Sequence, residues 1–371
     1  MGGRVNRTSF NVTCNQCGEA YPEDGLPYRC PYCGGLFDFG SPPPFDSDVI
    51  EPEQPGIWRY RRMFGLPEDA PPVSLGEGST PLVWAKSGGR EVAFKCEYLN
   101  PTGSFKDRGA ATLVSMLMVR GVHEAVEDSS GNAGAAFAAY AARAGIRARV
   151  YVPEAASGPK RAQIATYGAE VIAVPGPRSA AAEAVRKAAE EGAVYASHAY
   201  LPFDLPGYAS IAFELYETLG GAPGAVVMPV GQGALLLGVW RGFQALVAAG
   251  RLKSPPRLIG VQARACAPLW AAFTHGEATQ AEVREEPTLA EGVRIRHPLR
   301  AEAVLGAVRA SGGHFVAARE EEIRRGRDQL ARRGLYVEPT SALVWQALEE
   351  MPADVPDPVV AILTGSGLKA G

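Results

Sequence analysis

At 371 residues, 46% of them hydrophobic, the chain is long enough for two domains and a small appendage. A formal charge of -3 and a pI near 6.1 lack the basic excess of a general nucleic-acid binder. The opening Met-Gly-Gly-Arg-Val-Asn-Arg-Thr-Ser-Phe contains no apolar signal region, and runs such as Ala234-Leu-Leu-Leu-Gly-Val-Trp240 are far too short to span a bilayer. A cytoplasmic enzyme with neither a nucleic-acid nor a membrane partner is therefore the expectation.

Four of the six cysteines form Cys14-x-x-Cys17 and Cys30-x-x-Cys33, twelve residues apart. Each pair curls a knuckle, and Gly18 and Gly34 follow directly, where backbone amides can turn toward sulfur. Two knuckles supply four soft ligands in a tetrahedron, the pattern of structural zinc. The competing readings are two disulfides, which a reducing cytosol disfavours, or a ribbon without metal. Cys96 and Cys266 sit in apolar surroundings and read as core thiols. The knuckle module spans residues 1–40. Behind it, Ser41-Pro-Pro-Pro-Phe-Asp-Ser-Asp and Glu51-Pro-Glu-Gln-Pro form a linker expected to run extended along another surface.

Next comes Leu75-Gly-Glu-Gly-Ser-Thr-Pro-Leu82, then Asn100-Pro-Thr-Gly-Ser-Phe-Lys106-Asp-Arg-Gly109. Pro101 and Gly103 enforce a turn, and an apolar helix follows with Asp107 in its first turn. Lys106 is thus held by backbone on both sides, in a chain with only seven lysines against thirty arginines. The functional reading is an amine that forms a Schiff base with a carbonyl cofactor; the bland one is a surface lysine beside a helix start.

Beyond this point strands and helices alternate. Strands are expected at 147–153, 169–174, 225–230, 258–262 and 359–363, with helices near 133–144, 160–167, 178–191, 208–219, 234–249, 319–333 and 341–350. Such alternation gives open parallel sheets covered on both faces, with ligands at the carboxyl ends of strands. Three loops fall there. Glu127-Asp-Ser-Ser-Gly-Asn-Ala-Gly134 enters a helix, so free amides and the dipole make an anion pocket, or Ser or Asn simply caps the helix. In Pro229-Val-Gly-Gln-Gly-Ala-Leu235, Gly231 and Gly233 let the backbone approach a phosphate, with Gln232, Ala234 and Leu235 completing the cradle. A dinucleotide site needs glycine at the sixth position, where this chain has Leu236. In Leu363-Thr-Gly-Ser-Gly-Leu-Lys369, Thr364 offers a hydroxyl; the competing reading is a C-terminal glycine turn.

The lysine stretch resembles that of threonine synthases and their relatives, fold-type II enzymes dependent on pyridoxal 5'-phosphate (PLP). The segments at 75–82, 337–342 (Val-Glu-Pro-Thr-Ser-Ala) and 363–369 resemble the same family, in family order. The resemblance implies two three-layer α/β domains built on open parallel sheets, after the zinc-ribbon-like module. Residues 41–98 would be linker and the first part of the large domain, 99–200 the small domain, and 201–371 the large PLP-binding domain. It implies Lys106 as Schiff-base lysine and general base, with Phe105 near one ring face. Asn132 contacts the ring hydroxyl, Ser129, Ser130 and Asn132 hold the substrate carboxylate, and Thr364 bonds the pyridine nitrogen. The implied reaction turns O-phospho-L-homoserine and water into L-threonine and phosphate, in a homodimer.

Two departures keep alternatives open. Gln232-Gly-Ala-Leu looks nearer to the ammonia-lyase relatives than to threonine synthases. The arginine segment that usually holds the substrate phosphate is replaced by Ser197-His-Ala-Tyr-Leu-Pro-Phe-Asp-Leu-Pro-Gly-Tyr208, where His198 or a remote arginine would have to substitute. A serine or threonine dehydratase, a diamino-acid ammonia-lyase, or a β-replacement enzyme acting on phosphoserine is therefore the alternative. A PLP-binding regulator without turnover is disfavoured by intact Lys106, Asn132 and Thr364.

Overall fold

Turn chemistry and short apolar runs lay out the chain. The structure, a computed structural model, describes residues 12–40, 45–67, 70–156, 158–276 and 283–370. The opening ten residues and the Ser41-Pro-Pro-Pro stretch of the linker lie outside them. Strand β1 (Val12–Cys14) pairs antiparallel with β2 (Phe37–Phe39), placing Cys14 opposite Phe37. A second hairpin, β3 (Leu82–Ser87) and β4 (Arg90–Lys95), turns at Gly88-Gly89, whose φ angles of 59° and 80° only glycine adopts without strain.

Helix α1 (Lys106–Val119) is buried along most of its length, as its apolar sequence requires. Then β5 (Glu124–Glu127), α2 (Asn132–Ala144), β6 (Arg147–Pro153), α3 (Pro159–Thr166), β7 (Glu170–Val174) and α4 (Arg178–Glu190) alternate. After α5 (Leu205–Leu219) the pattern continues through β8 (Ala225–Pro229), α6 (Ala234–Ala248), β9 (Arg257–Ala263), α7 (Pro268–His275), α8 (Ala301–Ala310), β10 (His314–Ala318) and α9 (Glu320–Ala331). Short helices α10 (Pro339–Ala342) and α11 (Val344–Glu349) precede the last strand, β11 (Val359–Ile362). None of the helices among the described residues is long and apolar enough to cross a membrane.

The chain divides into two compact units. The first comprises residues up to Gly78 with Lys106–Gly207. It holds the β1–β2 hairpin and a parallel sheet in the order β5-β6-β7, and Tyr195 bridges Val126 as a further parallel rung. The second comprises Ser79–Phe105 and the chain from Tyr208 onward. Its six strands run β10-β9-β8-β11-β4-β3. The α/β class expected from the sequence stands, but the expectation of wholly parallel sheets is corrected here. Strand β3 pairs antiparallel with β4 because a two-residue turn joins them, so the six-stranded sheet is mixed. The core of this unit is built from Phe94, Val227, Ile259 and Ala361, all fully buried, as strands covered on both faces demand.

Candidate active site

Within the second unit, β8 and β4 both flank β11 in parallel, with Val359 opposite Ala225 on one side and Val92 on the other. Their carboxyl ends therefore emerge side by side, about 4.8 Å per step. These three ends carry the glycine cradle, Thr364 and the lysine loop.

The lysine loop is fastened at every turn. Gly103, at φ 86°, closes onto Asn100 through its N–H at 2.8 Å. Asn100 Nδ2 donates to the backbone and carboxylate of Glu97, at 2.8 and 2.9 Å, and Thr80 Oγ1 donates to the other carboxylate oxygen at 2.6 Å. The loop then runs beside residues 364–369. Phe105 N–H donates to Thr364 O at 3.0 Å, Ser366 N–H to Gly103 O at 2.9 Å, and Lys369 Nζ to Thr102 O at 2.7 Å. The Phe105 ring lies 5.2 Å from that of Tyr208. Lys106 is the next residue of the chain and the first of α1.

Ser341 fixes the Thr364 turn. Its Oγ accepts from Gly365 N–H at 2.8 Å and lies 3.0 Å from Thr364 Oγ1. A Cβ on Gly365 would fall on the Glu338 carboxylate, which explains the glycine after Thr364. The segment at 337–342 thus supports the hydroxyl directly. In the cradle, Gly233 is the N-cap of α6 at φ 92° with no side-chain cap, which leaves the first amides of a fifteen-residue helix for a ligand. Gln232 Oε1 accepts from Leu299 N–H at 3.1 Å, which anchors that side chain beside the cradle. Two lysines of this unit are buried but occupied: Lys369, already described, and Lys95, whose Nζ bonds Glu214 Oε2 and Thr80 O at 2.6 Å each.

Within the first unit, Gly131 is the N-cap of α2 and no side chain caps it, so the simple capping reading of the 127–134 loop fails. Asn132 opens the helix, and Ser129 Oγ accepts from Gly131 N–H at 3.2 Å. A Cβ on Gly134 would fall on Ser129 O, which makes that glycine obligatory. Lys106 is partly buried, and burial holds its amine below the usual lysine value. The charges of Asp204 and Glu127 oppose that lowering, while Arg178 adds to it. His198 Nδ1 lies 2.6 Å from Glu127 Oε1, so His198 is an acid-paired histidine of the site's interior.

Sequence reading passed over Glu127, Asp204 and Arg178. Strand-end placement was the available signal for Glu127. No local signal marks Arg178, which starts α4 and acts on Lys106, Glu127, Asp128 and His198 alike. Glu77 was also missed. Fully buried, it accepts from Trp58 Nε1 at 2.6 Å and Tyr140 OH at 2.7 Å and so fixes the 75–78 segment.

The four knuckle cysteines place their sulfurs within 4.8 Å of one another. Cys14 and Cys33 sulfurs are 3.4 Å apart and those of Cys17 and Cys30 3.7 Å. A tetrahedron with Zn–S bonds of about 2.3 Å needs sulfurs about 3.8 Å apart. Gly35 N–H donates to Cys33 Sγ at 3.4 Å, and a Cβ there would meet Cys14 Sγ at 2.7 Å. None of the six cysteines is disulfide-bonded in this structure. Cys96 and Cys266 are fully buried, and burial pushes the Cys96 thiol up to about 11, as befits a core thiol.

A lysine loop, a hydroxyl turn and a glycine cradle at adjoining strand ends suit a phosphorylated carbonyl cofactor, and residues 73–365 match the family model of the pyridoxal-phosphate dependent enzymes. The chain belongs to that family. It is 35% identical over 374 residues to a threonine synthase from Methanocaldococcus jannaschii, covering 96% of this chain and 92% of that one. A threonine synthase from Synechocystis is 37% identical over 324 residues, 84% of this chain and 82% of its own. The crystal structure of a threonine deaminase from T.th. superposes with a TM-score of 0.64 at 28% identity, over 77% of this chain and 92% of that one. Maize serine racemase, at 21% identity and a TM-score of 0.66 over 77% and 88%, shares the fold.

Proposed function

We propose that the chain is a PLP-dependent threonine synthase, converting O-phospho-L-homoserine and water to L-threonine and phosphate. The observation that carries this is the adjacency of lysine loop, Thr364 and glycine cradle at one sheet end, in a chain 35% identical to a threonine synthase over 96% of its length. Bound PLP supplies a carbonyl for the Lys106 amine and a sink for negative charge on the substrate carbons. The amides of Gly231, Gln232, Gly233, Ala234 and Leu235 hold its phosphate, Asn132 its ring hydroxyl, Thr364 its pyridine nitrogen, and Phe105 flanks the ring. A neutral hydroxyl at that nitrogen makes a weaker sink than a carboxylate would, which suits elimination and replacement.

Ser129, Ser130 and Asn132 orient the substrate carboxylate. Lys106 takes and returns protons at the alpha and beta carbons while phosphate leaves the gamma carbon and water adds at the beta carbon. Arg178, whose charge is felt at Lys106 and His198, is the cation that would meet the substrate phosphate. Cys14, Cys17, Cys30 and Cys33 hold a structural zinc, and the working form is a cytoplasmic homodimer, as the family resemblance implies.

A second reading has its own support. Residues 197–208 carry no arginine, and buried Asp204 stands there instead. An uncharged hydroxy-amino acid would suit that wall, with elimination of water followed by hydrolysis that takes the water back and releases keto acid and ammonia. Incubating the PLP-loaded protein with O-phosphohomoserine, threonine, serine and phosphoserine separates the two. Threonine formed together with phosphate supports the synthase; keto acid and ammonia from serine or threonine, with O-phosphohomoserine untouched, would overturn it.

A further inference from the structure

The two cysteine pairs bracket a loop, residues 18–29, whose aromatic side chains the metal alone does not explain. The sulfurs of Cys17 and Cys30, at its two ends, stand 3.7 Å apart. A metal held by the four thiolates therefore also closes this loop and removes much of its freedom. Within it, Tyr21 OH donates to Pro27 O at 3.1 Å, and the Tyr21 ring meets Phe37 edge-on at 4.6 Å. These contacts fix the chain one residue before Tyr28. On the other side Arg120, directly after α1, donates to Pro22 O at 3.0 Å and to Glu23 O.

The loop so held reaches one segment of the same unit. The half-buried Tyr28 ring stands 5.2 Å from the rings of both Tyr195 and Tyr200, edge-on to each. Tyr195 and Tyr200, both buried, are 6.0 Å apart, so Tyr28 closes a three-ring cluster. Arg29 donates to Tyr200 OH at 3.1 Å, with its guanidinium 4.9 Å from the centre of that ring. Tyr21 lies 5.2 Å from Phe203, whose carbonyl accepts from Thr112 Oγ1 of α1 at 2.7 Å.

Tyr195 leads from this cluster into the site. It makes a parallel rung with Val126 of β5, and its hydroxyl donates to Asp128 Oδ1 at 2.7 Å. Three residues on, His198 Nδ1 lies 2.6 Å from Glu127 Oε1. Residues 195–198 thus fasten Glu127 and Asp128, which open the 127–134 loop. Gly131, the N-cap of α2, has no side chain to stiffen that loop, so support at its head matters. We infer that Tyr28 is a positioning residue for the substrate-carboxylate loop: its ring fixes Tyr195, Tyr195 fixes Asp128, and Asp128 sets Ser129, Ser130 and Asn132. The knuckle is then a working part of the substrate site rather than an appendage. The inference deepens the proposed function and rests on its assignment of residues 129–132.

The test is hydrogen–deuterium exchange of the full chain, read peptide by peptide by mass spectrometry. Tyr28→Ala should raise exchange about tenfold in the peptides covering 195–201 and 127–134, in keeping with a lost aromatic contact. Tyr28→Phe, which keeps the ring, should match the wild type. Tyr195→Phe keeps the ring cluster but drops the hydroxyl, so it should loosen 127–134 alone. Strands β6 and β7 of the same unit should stay protected in all three variants; a merely structural role would loosen them too. In the PLP-loaded protein, Tyr28→Ala should raise KM for O-phosphohomoserine about tenfold and change kcat less. Wild-type protection of 127–134 in Tyr28→Ala, or equal loosening of β6 and β7, overturns the inference. If Tyr28→Ala does not fold, Tyr28→Leu, which keeps bulk without a ring edge, is read in the same way. A chelator should loosen the same two peptides in the wild type; unchanged protection after metal loss would overturn the coupling through the cysteines. Exchange needs neither cofactor nor substrate, so its failure is distinct from a failure of the threonine synthase reading.

Discussion

Replacing Gly233 with alanine should damage the cradle by an amount the structure bounds. The residue sits at φ 92°, where an L side chain costs about 1–2 kcal/mol. The new Cβ would also fall on Val304 Cγ2, well inside van der Waals contact. Val304 is fully buried on α8, so overpacking adds about 1–3 kcal/mol. The total, about 2–5 kcal/mol, divides between the folded state and the geometry of the α6 amides. Denaturant midpoints read the first part, and PLP titration by absorbance reads the second. A tenfold loss of cofactor affinity corresponds to about 1.4 kcal/mol, and at least that is expected. Val304→Ala in the same chain should return the steric share but not the backbone share, giving a favourable coupling in the double-mutant cycle. Wild-type stability and PLP affinity in Gly233→Ala, or no coupling to Val304, would refute the reasoning.

Three further outcomes follow from geometry elsewhere. Metal analysis of protein purified without chelator should find about one zinc per chain, and Cys30→Ser should lose it; a metal-free, folded wild type would contradict the four-thiolate site. Glu214→Ala leaves the Lys95 ammonium buried without its 2.6 Å partner and should cost about 3–5 kcal/mol in a denaturation series, most of it recovered in Lys95→Met/Glu214→Leu. The folded chain retains the Glu127 proton up to about pH 8 whereas the unfolded chain releases it near 4.5, so Glu127 erodes stability as pH rises through that window. Denaturant midpoints at pH 5 and 8 should therefore lie closer together in Glu127→Gln than in the wild type.

The parallel strands were legible because each is a short Val- and Ile-rich run, such as Ala225-Val-Val-Met-Pro, bounded by glycine or proline. Strand β3 was not, because Leu-Val-Trp-Ala-Lys-Ser faces solvent over much of its length at a sheet edge and reads as neither alternation nor a buried run. Strand β10, His-Phe-Val-Ala-Ala, is too short and alanine-rich to separate from the helices around it. Helix α8 did leave a signal, with Val304, Leu305 and Val308 on one buried face. The site loops were readable from turn chemistry: Pro101 and Gly103 before Lys106, Gly231 and Gly233 before α6. The Glu127–His198 pair was not, because its members lie 71 residues apart and only the β5–Tyr195 rung brings them together. Turn chemistry singles out Lys106, but sequence leaves unread what the other buried amine, Lys95, does. Only the coordinates show that Glu214 and Thr80 already occupy the second amine.

That distinction supplies the most direct test of the whole account. Borohydride reduction of the PLP-loaded protein, followed by peptide mapping, should place the cofactor mass on Lys106 alone and leave the Lys95 and Lys369 peptides unmodified. Label on either of those lysines, or none on Lys106 after stoichiometric PLP binding, would contradict the assignment on which the proposed chemistry depends.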